Sequence, residues 1–480
     1  MSTESSYTSS LQVERRSIEY IPPEERHGTP RNLFNIWFAS NMQVTAAVTG
    51  ALAVIIGLSL PWALLAIVVG NLVGVVFMAA HSAQGPKLGI PQMIQSRAQF
   101  GFYGAILPLV LVLLMYVGFF ATSAVLGGAA LSGWLGINQT LATIIVSVVC
   151  TVLAVYGYRM IHQYERWIAL VSGLGFLYLT IRLLTVHSLG AVWVNSGLSF
   201  GTFLLAITFA ATWQITYAPY VADYSRYLPE KTSKAATFWW TAAGSVIGTV
   251  WMMAFGAVAV AVAANAFNSG SVSFIVGLGN DKAIGWAISL VIILGIVAVN
   301  VLNLYGMFMS TTTTVTALAK IRVHASMRAG FVLGAAVVGT VLAVAATSNF
   351  LNDFENFILF LAYFLVPWTA INLMDFYFVR REKYDIASIF DVKGIYGRVD
   401  WKTMVAYLVA IAVEVPFMNT TFYTGFMVSH LGGGDISWIL GLIVASGLYF
   451  LLHRSLRAGV PATRVPAVPA VPVAAAPRPS

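Results

Sequence analysis

Trp37-Phe38-Ala39-Ser40-Asn41-Met42-Gln43-Val44-Thr45 sets Ser, Asn, Gln and Thr in the middle of an otherwise apolar run. A regular helix facing lipid has no use for such side chains, because polar groups are costly in hydrocarbon. From the residues alone, two readings stay open. The amides and hydroxyls bond between helices of a packed bundle, or the helix unwinds locally. In the second case freed carbonyls and amide side chains line a cavity for a cation or polar solute.

Outward from this stretch the chain alternates between twelve hydrophobic runs and short polar connections. The runs lie near 34–58, 62–83, 104–133, 139–157, 163–186, 199–222, 236–264, 284–317, 330–346, 354–379, 402–422 and 436–453. Of 26 Lys and Arg residues, Lys282 lies in a connection on the other side and Arg182 within a run, leaving 26 minus 2, or 24, on one face. Positive charge is retained on the cytoplasmic side during insertion, so both termini are expected in the cytoplasm. Hydrophobic residues make up 59% and charged residues 9%, too little charge to cover a soluble fold. The net charge of +8 belongs to these loops and implies no nucleic-acid partner.

Residues 1–33 are polar, lack the apolar core of a signal peptide, and read as a cytoplasmic tail. Residues 458–480 are rich in Pro, Ala and Val and read as a disordered cytoplasmic tail. Cys150 is the single cysteine, so disulfides and cysteine-ligated metals are excluded. Seven dispersed histidines show no metal-ligand spacing, and Walker A and HExxH patterns are absent from the sequence. Neither an enzyme nor a pump with its own nucleotide-binding domain fits. No cofactor and no obligate protein partner is implied. Gly70-xxx-Gly74 and Gly244-xxx-Gly248 carry the spacing of close helix approach, read here as internal packing.

Two further polar clusters lie within apolar runs. In the sixth, Trp213 and Tyr217 share a helical face, with Gln214 beside them and Pro219 following. Trp213 lies too deep for an interfacial anchor and reads as a stacking surface. In the eighth, Asn300 and Asn303 share one face. Carboxamides offer both donors and acceptors, which suits the edge of a nucleobase, although buried Asn also joins helices. Asp223 and Asp375 lie near Arg226 and Arg380 and read as structural ion pairs, and Glu414 as a packing residue near the outer interface.

The chain resembles the nucleobase:cation symporter-1 family, specifically its purine–cytosine permease branch. The resemblance is carried by Trp37 to Met42, by Gly85-Pro86-Lys87-Leu88-Gly89-Ile90-Pro91-Gln92, and by Ser96-Arg97-Ala98-Gln99-Phe100-Gly101. Ala222-Asp223-Tyr224-Ser225-Arg226-Tyr227-Leu228-Pro229, Tyr363 to Trp368, and Ile21-Pro22-Pro23-Glu24-Glu25-Arg26 add to it. It implies an all-α, LeuT-like membrane fold of twelve helices. Helices 1–5 (34–186) and 6–10 (199–379) would form a 5+5 inverted repeat, with helices 1 and 6 broken and two helices (402–453) appended.

By position, the resemblance places the substrate among Ser40, Asn41 and Gln43, with Phe119 and Ser123 where the family usually has Trp and an amide. Trp213 would stack on the ring, Gln214 and Tyr217 would lie beside it, and Asn303 and Asn300 would bond its edge. In sodium-coupled members, carbonyls at positions matching Ala39 and Met42 hold the ion with helix 8 hydroxyls. Here Val297 and Ala298 occupy those hydroxyl positions. A hard cation wants oxygen ligands, so protons are preferred over sodium as the coupling ion. The expected protein is a cell-membrane importer that couples cytosine or purines (adenine, hypoxanthine, guanine) to a cation by alternating access. The alternatives are a symporter of allantoin, hydantoin, uracil, pyridoxine or thiamine, and an uncoupled facilitator or channel.

Overall fold

The computed structural model describes residues 18–156, 158–194, 198–319 and 325–458. The two expected tails therefore lie largely outside the described residues, as do Lys320 and Arg322 of the connection after the eighth run. Among the described residues there is no strand, only an isolated bridge between Asn419 and Thr424.

The helices are α1 (Arg31–Asn41), α2 (Val44–Ile55), α3 (Leu60–Ser82), α4 (Gly85–Leu88), α5 (Gln92–Phe100), α6 (Ile106–Leu135) and α7 (Gln139–Tyr156). They continue as α8 (Tyr158–Val186), α9 (Phe200–Ile215), α10 (Ala218–Ser225), α11 (Lys234–Ser269), α12 (Ser271–Gly277) and α13 (Lys282–Ala319). The last are α14 (Ala325–Ala346), α15 (Phe350–Met374), α16 (Ile386–Ile389), α17 (Trp401–Glu414) and α18 (Ser437–His453). Among the described residues, seven helices are long and apolar enough to cross a membrane, and α1 with α2 form one bent pair that passes the same test.

The first apolar run is two helices meeting at 65°. Met42 ends α1 with its N–H on the Ala39 carbonyl, and Gln43 is extended, with φ −142° and ψ 151°. Its side chain turns back so that Nε2 donates to the Ser40 carbonyl at 2.8 Å, satisfying a group that the missing helical turn would have used. The sixth run is likewise interrupted, at Thr216 and Tyr217, and Pro219 lies in the first turn of α10, where its missing N–H costs nothing.

Two connections hold more structure than hydropathy suggests, and one run holds less helix. The segment after α3 forms α4 and α5, with Gln92, Gln95, Ser96 and Gln99 all buried. A short helix, α12, precedes α13. The eleventh run, expected to extend to 422, leaves α-helix after Glu414, where Pro416 follows. Glu414 itself is fully buried, and neither carboxyl oxygen has a hydrogen-bond partner among the described residues.

α3 packs on α9, α1 and α2 pack on α11, and α6 packs on α13. Glycines set the closest approaches. A Cβ on Gly74 would lie 2.3 Å from the Ala211 carbonyl oxygen, and one on Gly244 2.4 Å from that of Phe34. Gly50 and Gly256 bring α2 and α11 together in the same way, at Met253 and Ala47. Arg182 is explained by its partner, since its Nε donates to the Leu278 carbonyl at 3.1 Å in the turn after α12. Asp375 and Arg380 form an ion pair at 3.1 Å.

Candidate functional site

A cavity of about 650 Å³ lies between the α1–α2 break, α6, α9, α10 and α13. It extends to the end of the molecule that carries His27, Gly28, Tyr227 and Leu228. Phe119 meets Phe357 of α15 edge to face, 5.1 Å apart. Seven sequence-expected residues line the cavity: Ser40, Gln43, Phe119, Ser123, Trp213, Tyr217 and Asn303.

Trp213 is 2% exposed. Its ring stands perpendicular to Phe119, with centroids 5.8 Å apart, so the two rings form adjoining walls of a slot. Such walls suit a planar, π-rich solute. Charged wall residues Asp223 and Arg226 lie at the end of α10, together with Tyr227. Gln43, Phe119, Ser123, Trp213 and Asn303 are themselves uncharged.

The carboxamides on the wall have fixed polarity. Gln43 spends Nε2 on the Ser40 carbonyl, and its Oε1 has no hydrogen-bond partner. Asn303 donates Nδ2 to Asn300 Oδ1 at 3.2 Å, while Asn300 donates to the Phe120 carbonyl at 3.1 Å. Asn303 therefore keeps its oxygen for the wall, while Gln43 Oε1 is buried without a partner. The Ser123 hydroxyl is likewise buried without a partner.

Asn41, Gln214 and Asn300 do not reach the cavity wall. All three are fully buried behind it. Gln214 donates to Asn71 Oδ1 at 2.8 Å and to Thr249 Oγ1 at 3.1 Å, and accepts from Ser245 Oγ at 2.7 Å. Asn41 accepts from Trp213 and Tyr217 and donates to Trp37 and Ser245. These amides are saturated by protein partners, which leaves nothing for a solute. Ala39 and Met42 also lie off the wall. Val297 and Ala298 of α13 are buried and carry no side-chain oxygen.

The wall also contains Trp37, Tyr116, Tyr220 and Tyr224, which were not singled out as site residues from sequence. Trp37 meets Tyr217 at 5.3 Å and Tyr224 at 5.4 Å, and its indole Nε1 has no hydrogen-bond partner. In a chain with 13 Trp and 20 Tyr, aromatic type alone does not pick these out. Trp37 carried a usable signal, the four-residue spacing that sets it on one face with Asn41.

The family of permeases for cytosine/purines, uracil, thiamine and allantoin matches residues 20–441. YxlA of Bacillus subtilis, assigned to the purine-cytosine permeases, is 47% identical over 444 residues, covering 92% of this chain and 96% of the relative. The purine-cytosine permease FcyB of Emericella nidulans is 28% identical over 468 residues, covering 92% and 89%. Among solved structures, Mhp1, a nucleobase-cation-symport-1 family transporter with bromovinylhydantoin bound in a closed conformation, superposes with a TM-score of 0.75. The match covers 94% of this chain and 97% of that one at 21% identity, and so speaks for the fold alone.

Proposed function

Since the chain belongs to the nucleobase:cation symporter-1 family, in its purine–cytosine permease branch, we propose that it imports cytosine or purine bases by cation symport. The observation that carries this reading is the slot between the perpendicular rings of Trp213 and Phe119, edged by the Asn303 carboxamide. It suits a neutral planar heterocycle with N–H groups on its edge. A cationic solute such as thiamine would want a carboxylate beside the rings, and the wall's Asp223 instead lies near the end of α10, where it accepts from the Gln92 N–H at 2.7 Å.

In this reading the chain crosses the membrane twelve times, α1 to α8 and α9 to α15 being the two inverted halves, with α17 and α18 appended. The end bearing His27 and Tyr227 is cytoplasmic, in keeping with the positive loops, so the cavity is the inward-facing route to the site. Base and ion bind near the breaks in helices 1 and 6. Their joint binding favours closure, and the coupling is reciprocal between the two ligands. Protons are the preferred ion, because Val297 and Ala298 supply no hard oxygen ligand.

The test is uptake of radiolabelled cytosine and adenine by cells expressing the chain, with unlabelled nucleobases, hydantoin and allantoin as competitors. Competition by purines and cytosine supports the reading. Competition by hydantoin or allantoin alone overturns it in favour of that cargo.

A further inference from the structure

Asn41 is the last residue of α1, at the edge of the break, and is fully buried. Its Oδ1 accepts two hydrogen bonds, from Trp213 Nε1 at 2.8 Å and from Tyr217 Oη at 3.0 Å. Its Nδ2 donates to the Trp37 carbonyl at 2.7 Å and to Ser245 Oγ at 3.3 Å. The orientation of this amide is not a free choice. An indole N–H only donates and a carbonyl only accepts, so oxygen must face Trp213 and nitrogen must face Trp37.

Trp213 lies near the end of α9, and Tyr217 lies in the interruption before α10. One carboxamide on α1 thus grips both sides of the gap in helix 6. Its far side is anchored in turn, since Ser245 Oγ donates to Gln214 Oε1 at 2.7 Å and Gln214 Nε2 to Asn71 Oδ1 at 2.8 Å. The chain of bonds runs from α1 through α11 and α9 to α3, and every side chain in it is buried and uncharged. A satisfied network of this kind rigidifies what it connects.

We infer that Asn41 is a positioning residue that sets the plane of the Trp213 ring and ties the break in helix 1 to the break in helix 6, without touching the solute. The inference rests on reading the slot as the substrate site. Trp213 meets Phe119 and Tyr217 edge to face, and of its contacts the bond from its N–H to Asn41 is the one that fixes the direction of the indole edge. Asn41 fixes it at a distance typical of a well-formed hydrogen bond.

The test uses the full-length chain labelled with 5-fluorotryptophan and observed by fluorine NMR, without ligand. The Trp213 line is assigned by its loss in Trp213→Phe. Asn41→Ala is expected to shift or split that line. Asn41→Ser, whose hydroxyl cannot reach both donors, covers the case in which the alanine variant does not fold. An unchanged Trp213 line overturns the inference whether or not the protein carries nucleobases. In uptake assays, Asn41→Ala is expected to raise KM about tenfold with Vmax little changed, and to raise it less than about twofold in the Trp213→Phe background. An equal rise in both backgrounds, or a loss confined to Vmax, gives Asn41 a purely structural role. Absence of nucleobase uptake in the unaltered chain would instead sink the substrate reading and leave the fluorine result to decide the positioning role.

Discussion

Asn303 donates its Nδ2–H to Oδ1 of Asn300 at 3.2 Å, and this bond decides which face of Asn303 is left for the cavity. Asn300 in turn donates to the Phe120 carbonyl at 3.1 Å, so a backbone oxygen on α6 orients both amides of α13. The same logic fixes Gln43 through the Ser40 carbonyl. The solute group facing Asn303 is therefore expected to be an N–H donor. Bases whose N–H groups are methylated should compete at least about tenfold more weakly than their parents, the cost of leaving a buried acceptor unpaired. Equal competition would mean that Asn303 does not read the edge.

Asn303→Ala should abolish uptake while the protein stays folded and in the membrane. Uptake at the unaltered rate would remove Asn303 from the site. Melting by size-exclusion fluorescence separates this from a folding defect.

Close approach of α2 and α11 leaves no room at Gly256, where a Cβ would overlap the Ala47 carbonyl. Gly256→Ala should lower the melting temperature sharply or prevent accumulation, because an overpacked core site costs about 1–3 kcal/mol or more. Gly133 lies on α6 with nothing within 4 Å of its added Cβ. Gly133→Ala should be neutral, and similar melting of the two variants would contradict the packing described.

Asp375 is a fully buried carboxylate that accepts from Gln99 Nε2 at 2.9 Å, Tyr384 Oη at 2.7 Å and Tyr449 Oη at 2.8 Å, besides pairing with Arg380. It joins α5, α15, α18 and the Tyr384 segment at one point. Asp375→Ala strands a buried guanidinium and should cost about 3–5 kcal/mol. A melting temperature within a degree or two of the unaltered protein would show that these contacts are not maintained.

Asp400 caps α17, accepting from the Thr403 N–H at 3.0 Å, and pairs with His453 at 3.1 Å. Burial by itself would raise this carboxyl. Hydrogen bonds from His453 and Thr403 outweigh burial and hold it below the usual carboxylate range. A group depressed on folding contributes stability above its unfolded pKa of about 3.9 and loses that contribution as pH falls through the folded value. Asp400→Ala should thus cost about 1 kcal/mol near neutral pH, with the gap closing only at strongly acid pH. A gap that opened on acidification would reverse the sign and refute the assignment.

Ser40, Asn41, Gln43 and Thr45 mark helix 1 as a polar cluster that hydrocarbon tolerates only where structure uses it. The residues alone left bundle hydrogen bonding and local unwinding both open, and the break itself was implied by the family resemblance. The division of labour within the cluster was not legible. Asn41 and Gln43 are two residues apart, and a turn of φ and ψ at Met42 sends one into the helix 6 network and the other to the cavity. Gln214 adjoins Trp213 in sequence yet faces α3 and α11, since neighbours in a helix diverge by about 100°. The buried fold of α4 and α5 was hidden by its polar composition, which reads as a solvated loop until Gln84 Nε2 is seen to donate to Asn372 Oδ1 at 2.9 Å.

Accumulation of cytosine or adenine in proteoliposomes containing the purified chain tests the central claim most directly. An imposed inward proton gradient, with sodium absent, is expected to drive the base above its external concentration, and a proton carrier should collapse it. Equilibration without accumulation under both proton and sodium gradients, or no entry of any nucleobase, would contradict the account.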